Sequence, residues 1–221
     1  MLFRAAIFDL DGTILDTIED LADAMNYALR LNHYPERSLD FIRLAVGNGM
    51  RELTRKSLPA AVQSDAQRID LCCRQMKSYY LSHWNLKTRP YDGIRELFLF
   101  CKEQNIAVSV LSNKADEATK AMVPYWYGDL PFAYIWGEQP GFARKPDPAS
   151  ALEIARLLGI SPKEVLFVGD SSYDMITAKN AGMFAAGVLW GFRTEEELRA
   201  SGADFIAKTP QDLIAFIRSA K

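Results

Sequence analysis

An apolar run that breaks off into two aspartates sets the frame for this chain. Phe3 to Phe8 reads FRAAIF, short and apolar enough for a buried strand. Asp9-Leu10-Asp11-Gly12-Thr13 follows, and Gly12 with its polar neighbours ends the strand and opens a loop. Two carboxylates one residue apart can converge on one point if the chain turns there. The C-terminal end of a strand is also where open α/β sheets keep their sites. Short acidic side chains favour turns and caps as well, so an isolated D-x-D-G fits either role. Context favours the first: a charge directly after an apolar strand is costly unless paired, and a divalent cation would relieve the repulsion between two carboxylates.

The rest of the chain divides by pattern. From Asp16 to about Trp84 every expected element is a helix: one ending near Leu31, with Ile18, Leu21, Ala22, Met25 and Leu29 on one face; Leu39 to Ala45 behind Ser38; about Met50 to Ser57; and Ala66 to His83. Thr17 and Asp20 have the spacing of a capping box. From Arg89 helices and strands alternate. The strands fall at Ile106 to Leu111, Phe132 to Trp136, Val165 to Val168, Phe184 to Leu189 and Asp204 to Ile206. Such alternation implies a parallel sheet covered on both faces. The expected fold is therefore α/β, a Rossmann-like parallel-sheet core of residues 1–15 and 88–221 interrupted after its first strand by an all-helical insert of residues 16–87. Its 221 residues suit one large domain with such an insert. Two crossings between the parts make a natural hinge.

A formal net charge of -2 gives no basic excess to attract nucleic acid polymers or an anionic membrane. Cys72, Cys73 and Cys101 show no metal-ligand spacing, and a reduced, cytoplasmic chain is the expectation. The N-terminus does not read as a signal peptide, and no apolar run is long enough to span a membrane.

Three further groups follow strands or loops. Ile106 to Leu111 runs into Ser112-Asn113-Lys114, where a hydroxyl and backbone N–H groups at a helix start suit an anion; Ser112 alone also suits an ordinary N-cap. Arg144-Lys145-Pro146-Asp147-Pro148 presents Lys145 from a loop stiffened by prolines, or is a solvated basic pair. Val165 to Val168 runs into Gly169-Asp170, which puts Asp170 where a metal ligand would sit. Asp174 begins a helix, where its charge is favourable in any case.

Asp9 to Thr17, DLDGTILDT, resembles the first signature of the haloacid dehalogenase-like hydrolases, in their aspartate-nucleophile phosphatase branch. The order acid-x-acid, Ser112, Lys145, Asp170 matches that branch over most of the chain. The resemblance implies a Mg²⁺-dependent phosphatase. Asp9 would attack phosphorus, and Asp11 would protonate the leaving oxygen and later deprotonate water. Lys145 would add fixed positive charge. Ser112, the N–H of Asn113 and backbone near Gly12 would hold phosphoryl oxygens, with Thr13 resembling the residue that positions the Asp11 carboxyl. Asp9, Asp170, the backbone carbonyl of Asp11 and Asp174 would form the metal set. The second aspartate speaks against the dehalogenase branch.

The insert resembles the helical cap of this family, and Val46-Gly47-Asn48-Gly49 resembles a loop of phosphoglycolate phosphatases. Its backbone at Gly47 and Asn48 suits a small carboxylate, and equally a plain helix–helix turn. Where that subgroup commonly has arginine, this chain has Lys56, a point charge without the bidentate fork. The expected substrate is a small phosphorylated metabolite, 2-phosphoglycolate first. Pyrophosphate, nucleotides, a hexose-phosphate mutase activity or a binding role on the same scaffold are alternatives. A monomer or a homodimer is expected. Trp126, Trp136 and Trp190 read as packing residues.

Overall fold

In the first strand, side chains alternate between two apolar layers, as a period of two requires. The computed structural model describes residues 3–220. All four residues of β1 (Ala5–Phe8) are buried. Ala5 and Ile7 join a cluster with Ala151, Ile154, Phe167, Met175 and Ala178. Phe8 meets Phe98 edge-on, with ring centroids 5.1 Å apart.

The chain then runs through β2 (Leu15–Asp16), α1 (Ile18–Leu31), α2 (Leu39–Ala45), α3 (Gly49–Ser57), α4 (Ala66–His83) and β3 (Arg89–Pro90). It continues with α5 (Ile94–Glu103), β4 (Ala107–Ala115), α6 (Asp116–Tyr127), β5 (Phe132–Glu138) and α7 (Ala149–Leu158). The last elements are β6 (Val165–Gly169), α8 (Ser172–Ala181), β7 (Phe184–Val188), α9 (Glu195–Ala200), β8 (Phe205–Ala207) and α10 (Pro210–Ser219). Asp16–Arg89 forms one compact unit, and the remaining described residues form the other.

The larger unit is a six-stranded sheet in the order β5-β4-β1-β6-β7-β8. Its recorded strand pairings are parallel. The α/β class and the parallel sheet expected from the sequence are therefore present. Phe8 is level with Val110 on one side and Val168 on the other. Asp9, Leu111-Ser112 and Gly169-Asp170 thus leave three adjacent strands at the same end. The chain fills the sheet outward from β1 to one side through β4 and β5, then to the other through β6, β7 and β8. The crevice of the sheet lies at that reversal.

One strand departs from expectation. The apolar run of β4 ends at Leu111, yet the strand continues to Ala115. Its pairing with β5 shifts register between Leu111 and Ala115, where four steps on β4 match two on β5. The irregularity lets Ser112, Asn113 and Lys114 remain in the strand while their side chains are re-aimed. Ser112 is therefore not a helix cap, since α6 begins only at Asp116.

The smaller unit holds α1 to α4. Ile18, Leu21, Met25 and Leu29 of α1 are buried, as are Ile69, Cys72, Met76 and Tyr80 of α4. Ser38 caps α2 by accepting from the Phe41 N–H, and the Asp65 carboxylate caps α4 by accepting from Gln67 and Arg68. The capping box expected at Thr17 does not form: Thr17 makes no side-chain cap bond. Asp20 accepts instead from the N–H groups of Lys87 and Thr88, at 2.8–3.1 Å. Two distant backbone donors in a buried setting outcompete one local donor in the first turn of a helix. Among the described residues, no helix is long and apolar enough to cross a membrane.

Candidate active site

The C-terminal ends of β1, β4 and β6 deliver the side chains that the sequence singled out. Asp9 directly follows β1, and its N–H donates to Val168 O at 2.9 Å, which ties it to β6. Gly12 takes φ +81°, and a Cβ there would overlap the Asp170 carboxylate. A glycine is required both for the left-handed turn and for the close approach. The same closeness recurs at Gly191, where a Cβ would overlap Asp170 and the Gly12 carbonyl.

Around this turn lie three buried carboxylates and a buried lysine. One ligand atom from each of Asp9, Asp170 and Asp174 falls within 4.8 Å of the others. Lys145 Nζ is 2.9 Å from Asp9 Oδ1 and 2.5 Å from Asp174 Oδ1. The contact with Asp174 is a hydrogen bond. The same ammonium pairs with Asp9 Oδ1, so one lysine is shared between two buried carboxylates. The other Asp174 oxygen accepts from the Ser171 N–H and hydroxyl, at 3.1 and 2.6 Å. Asp170 accepts from the Phe192 N–H at 2.7 Å and the Thr13 hydroxyl at 3.3 Å.

Three negative charges beside one positive charge leave a surplus. Burial pushes the Asp9 carboxyl up to about 7, with the neighbouring Asp174 charge adding to the effect and Lys145 opposing it. Burial also pushes Asp170 up to about 8, again with Asp174 and Asp9 contributing. For Lys145, burial alone would lower the value, but the charges of Asp174 and Asp9 overcome this and raise it. The lysine stays an ammonium while the acids compete to remain charged. A hard divalent cation fits this donor set. All the donors are oxygens, and three clustered carboxylates share one ammonium.

Asp11 stands apart from the three carboxylates. Lys114 Nζ approaches both of its oxygens, at 3.0 and 3.2 Å. The sequence reading passed over Lys114, although a lysine just beyond the apolar run Ile106 to Leu111 was visible. Asn113 was expected to offer its N–H to phosphate. Its side chain clamps the Lys145 backbone, donating to Lys145 O at 3.0 Å and accepting from Lys145 N at 2.8 Å. Ser112 is buried, and its hydroxyl oxygen accepts from the Lys114 N–H at 3.3 Å. Trp190 does more than pack, because its indole N–H donates to Thr13 O at 2.8 Å.

Asp9, Asp11, Gly12, Thr13, Ser112, Asn113, Lys145, Asp170 and Asp174 are thus gathered in the larger unit. Gly47, Asn48 and Lys56 belong to the smaller one. Gly47 has φ +123° and Asn48 is the N-cap of α3. Lys56 lies eight positions further on, roughly 12 Å along the helix. It lines a pocket of about 330 Å³ with Phe41, Leu44, Ala45 and Gln63.

Comparisons with known proteins agree with this geometry. Residues 6–188 match the family model described as haloacid dehalogenase-like hydrolase. The chain is 30% identical over 220 residues to a phosphoglycolate phosphatase of Mannheimia succiniciproducens, covering 97% of this chain and 98% of that protein. It is 29% identical over 211 residues to a phosphoglycolate phosphatase of Aquifex aeolicus, covering 96% and 95%. A crystal structure of a predicted phosphoglycolate phosphatase from Haemophilus somnus superposes with a TM-score of 0.90 at 27% identity, covering 97% of each chain. The chain belongs to the haloacid dehalogenase-like hydrolase family and is an enzyme of its phosphatase branch.

Proposed function

We propose that the protein hydrolyses a small phosphate monoester through an aspartyl-phosphate on Asp9, with 2-phosphoglycolate as the preferred substrate. The observation that carries this reading is the buried Asp9 carboxylate, 2.9 Å from the Lys145 ammonium and two residues before a second acid. A phosphate monoester is a dianion, and its charge must be offset before an anionic nucleophile can approach. Lys145 supplies one fixed charge. Mg²⁺, held by Asp9, Asp170, the backbone carbonyl of Asp11 and Asp174, would supply the rest of the charge neutralisation at the phosphoryl oxygens.

The chain's own groups do the remaining work. Asp9 attacks phosphorus and takes the phosphoryl group. Asp11 gives a proton to the leaving oxygen, then takes one from the water that cleaves the aspartyl-phosphate. Ser112, the Asn113 N–H and backbone at Gly12 orient phosphoryl oxygens. Asp174 and Asn113 fix Lys145 from its two ends.

Phosphate release from 2-phosphoglycolate, pyrophosphate, nucleotides and hexose phosphates, each with and without Mg²⁺, tests this. A Mg²⁺-dependent preference for 2-phosphoglycolate is expected. Even, weak release from every ester would remove the substrate assignment and leave the mechanism. Isomerisation of a hexose phosphate without free phosphate would make the protein a mutase.

A further inference from the structure

The site holds two buried ammonium groups, and the chemistry at phosphorus accounts for one. Lys145 faces Asp9, the nucleophile of the proposed function, and Asp174. Lys114 has a 2% exposed side chain and sits against Asp11, the acid that the proposed function assigns to the leaving oxygen. It reaches that position because the irregularity in β4 carries it past the end of the regular strand pairing.

The geometry points to Lys114 as the residue that selects a leaving group bearing a carboxylate next to the ester carbon. This rests on the phosphatase reading above and narrows its substrate class. To pass a proton, Asp11 must lie one hydrogen-bond length from the ester oxygen. Lys114 Nζ is 3.0 Å beyond the same carboxylate. The ammonium therefore stands within roughly two hydrogen-bond lengths, about 6 Å, of the ester oxygen. A carboxylate on the adjoining carbon extends roughly 3 Å from that oxygen, which closes the gap to one hydrogen bond. An uncharged leaving group would set neutral atoms beside a desolvated cation, a poorer use of the same space. Arginine is not needed here: a compact ammonium can bridge Asp11 and a second carboxylate, whereas a planar fork would prefer one of them in a bidentate pair.

The test compares 2-phosphoglycolate with 2-hydroxyethyl phosphate, in which a hydroxymethyl group replaces the carboxylate, in wild type, Lys114→Met and Lys114→Arg. Wild type is expected to prefer 2-phosphoglycolate in kcat/KM. Lys114→Met is expected to cut that preference by about 30-fold, chiefly through KM, as loss of a charge-assisted hydrogen bond would do. Lys114→Arg should restore part of it. A Lys114→Met variant that slows both esters equally would overturn the inference, because Lys114 would then serve only to place Asp11. If Lys114→Met does not fold, inhibition of the wild type by glycolate against ethylene glycol reads the same preference, and equal inhibition overturns it. Wild-type hydrolysis of both esters without preference sinks the inference and keeps the phosphatase. No release from any ester sinks both.

Discussion

The two units of this molecule treat buried charge in opposite ways. Among the described residues, the smaller unit buries one charged side chain, Asp20. Its carboxylate accepts from two backbone N–H groups at 2.8–3.1 Å, so the group is satisfied within the fold. The larger unit buries Asp9, Asp170, Asp174, Lys114 and Lys145. There the acids outnumber their cations around Lys145, two are pushed up to about 7 and about 8, and Asp9 and Asp174 share one ammonium. A satisfied buried charge holds a chain together. A surplus of buried acids lowers stability, and such clusters occur where a bound group offsets the charge; under the proposed function that group is a cation with a phosphoryl group.

Substitutions separate the two cases. Asp9→Asn should lower phosphate release by at least about 10⁴-fold, as loss of a nucleophile does, while the folded state survives because a surplus charge has been removed. Activity retained in that variant would end the proposed mechanism. Asp20→Ala should do the reverse. Leaving two backbone donors unpaired costs about 2–3 kcal/mol, seen as a lower denaturant midpoint, with phosphate release per folded molecule within about threefold of wild type. If Asp20→Ala silences the enzyme without destabilising it, the contrast between the units fails.

Cation and pH sharpen the contrast further. Asp9 and Asp170 have raised values in the folded chain, so the fold binds more protons than the unfolded chain between about pH 4 and pH 8. Their contribution to stability is fully present below the ordinary carboxyl range and is lost as pH rises through 7 to 8. Without cation, the melting temperature should therefore fall across that window. Mg²⁺ at about 100 times its Kd adds about 2.7 kcal/mol, roughly 5–10 °C for a chain of this size. This gain should be larger at pH 8 than at pH 5.5, and calorimetry at the two pH values checks it. An equal gain at both would mean that the cation binds elsewhere. The smallest effect belongs to an exposed cap: Asp65→Ala should cost about 1 kcal/mol and leave activity alone, as paired melting and phosphate-release assays would show.

What could be read from the sequence was local. β1 and the two aspartates after it are contiguous. Asp170 is legible because a buried strand ends one residue before it, and Lys145 because the prolines around Asp147 mark a stiff loop. The pairing of Lys114 with Asp11 spans 103 positions and depends on a register shift in β4 that leaves no mark in hydrophobic pattern. The Asn113 clamp on Lys145 was hidden for the same reason, since a side-chain amide has no period. Asp20 misled because its spacing from Thr17 fits a cap, while its actual partners lie 67 and 68 positions away. Long-range polar pairing is decided by tertiary geometry, and sequence spacing carries little of it.

The claim on which the account turns is that Asp9 takes the phosphoryl group. Rapid acid quench during turnover of 2-phosphoglycolate with Mg²⁺, followed by peptide mass analysis, tests it directly. A phosphoryl group on the peptide carrying Asp9, absent from Asp9→Asn, is the predicted result. Turnover with the phosphoryl group on another residue, or on none while the steady state is fully sampled, would contradict it.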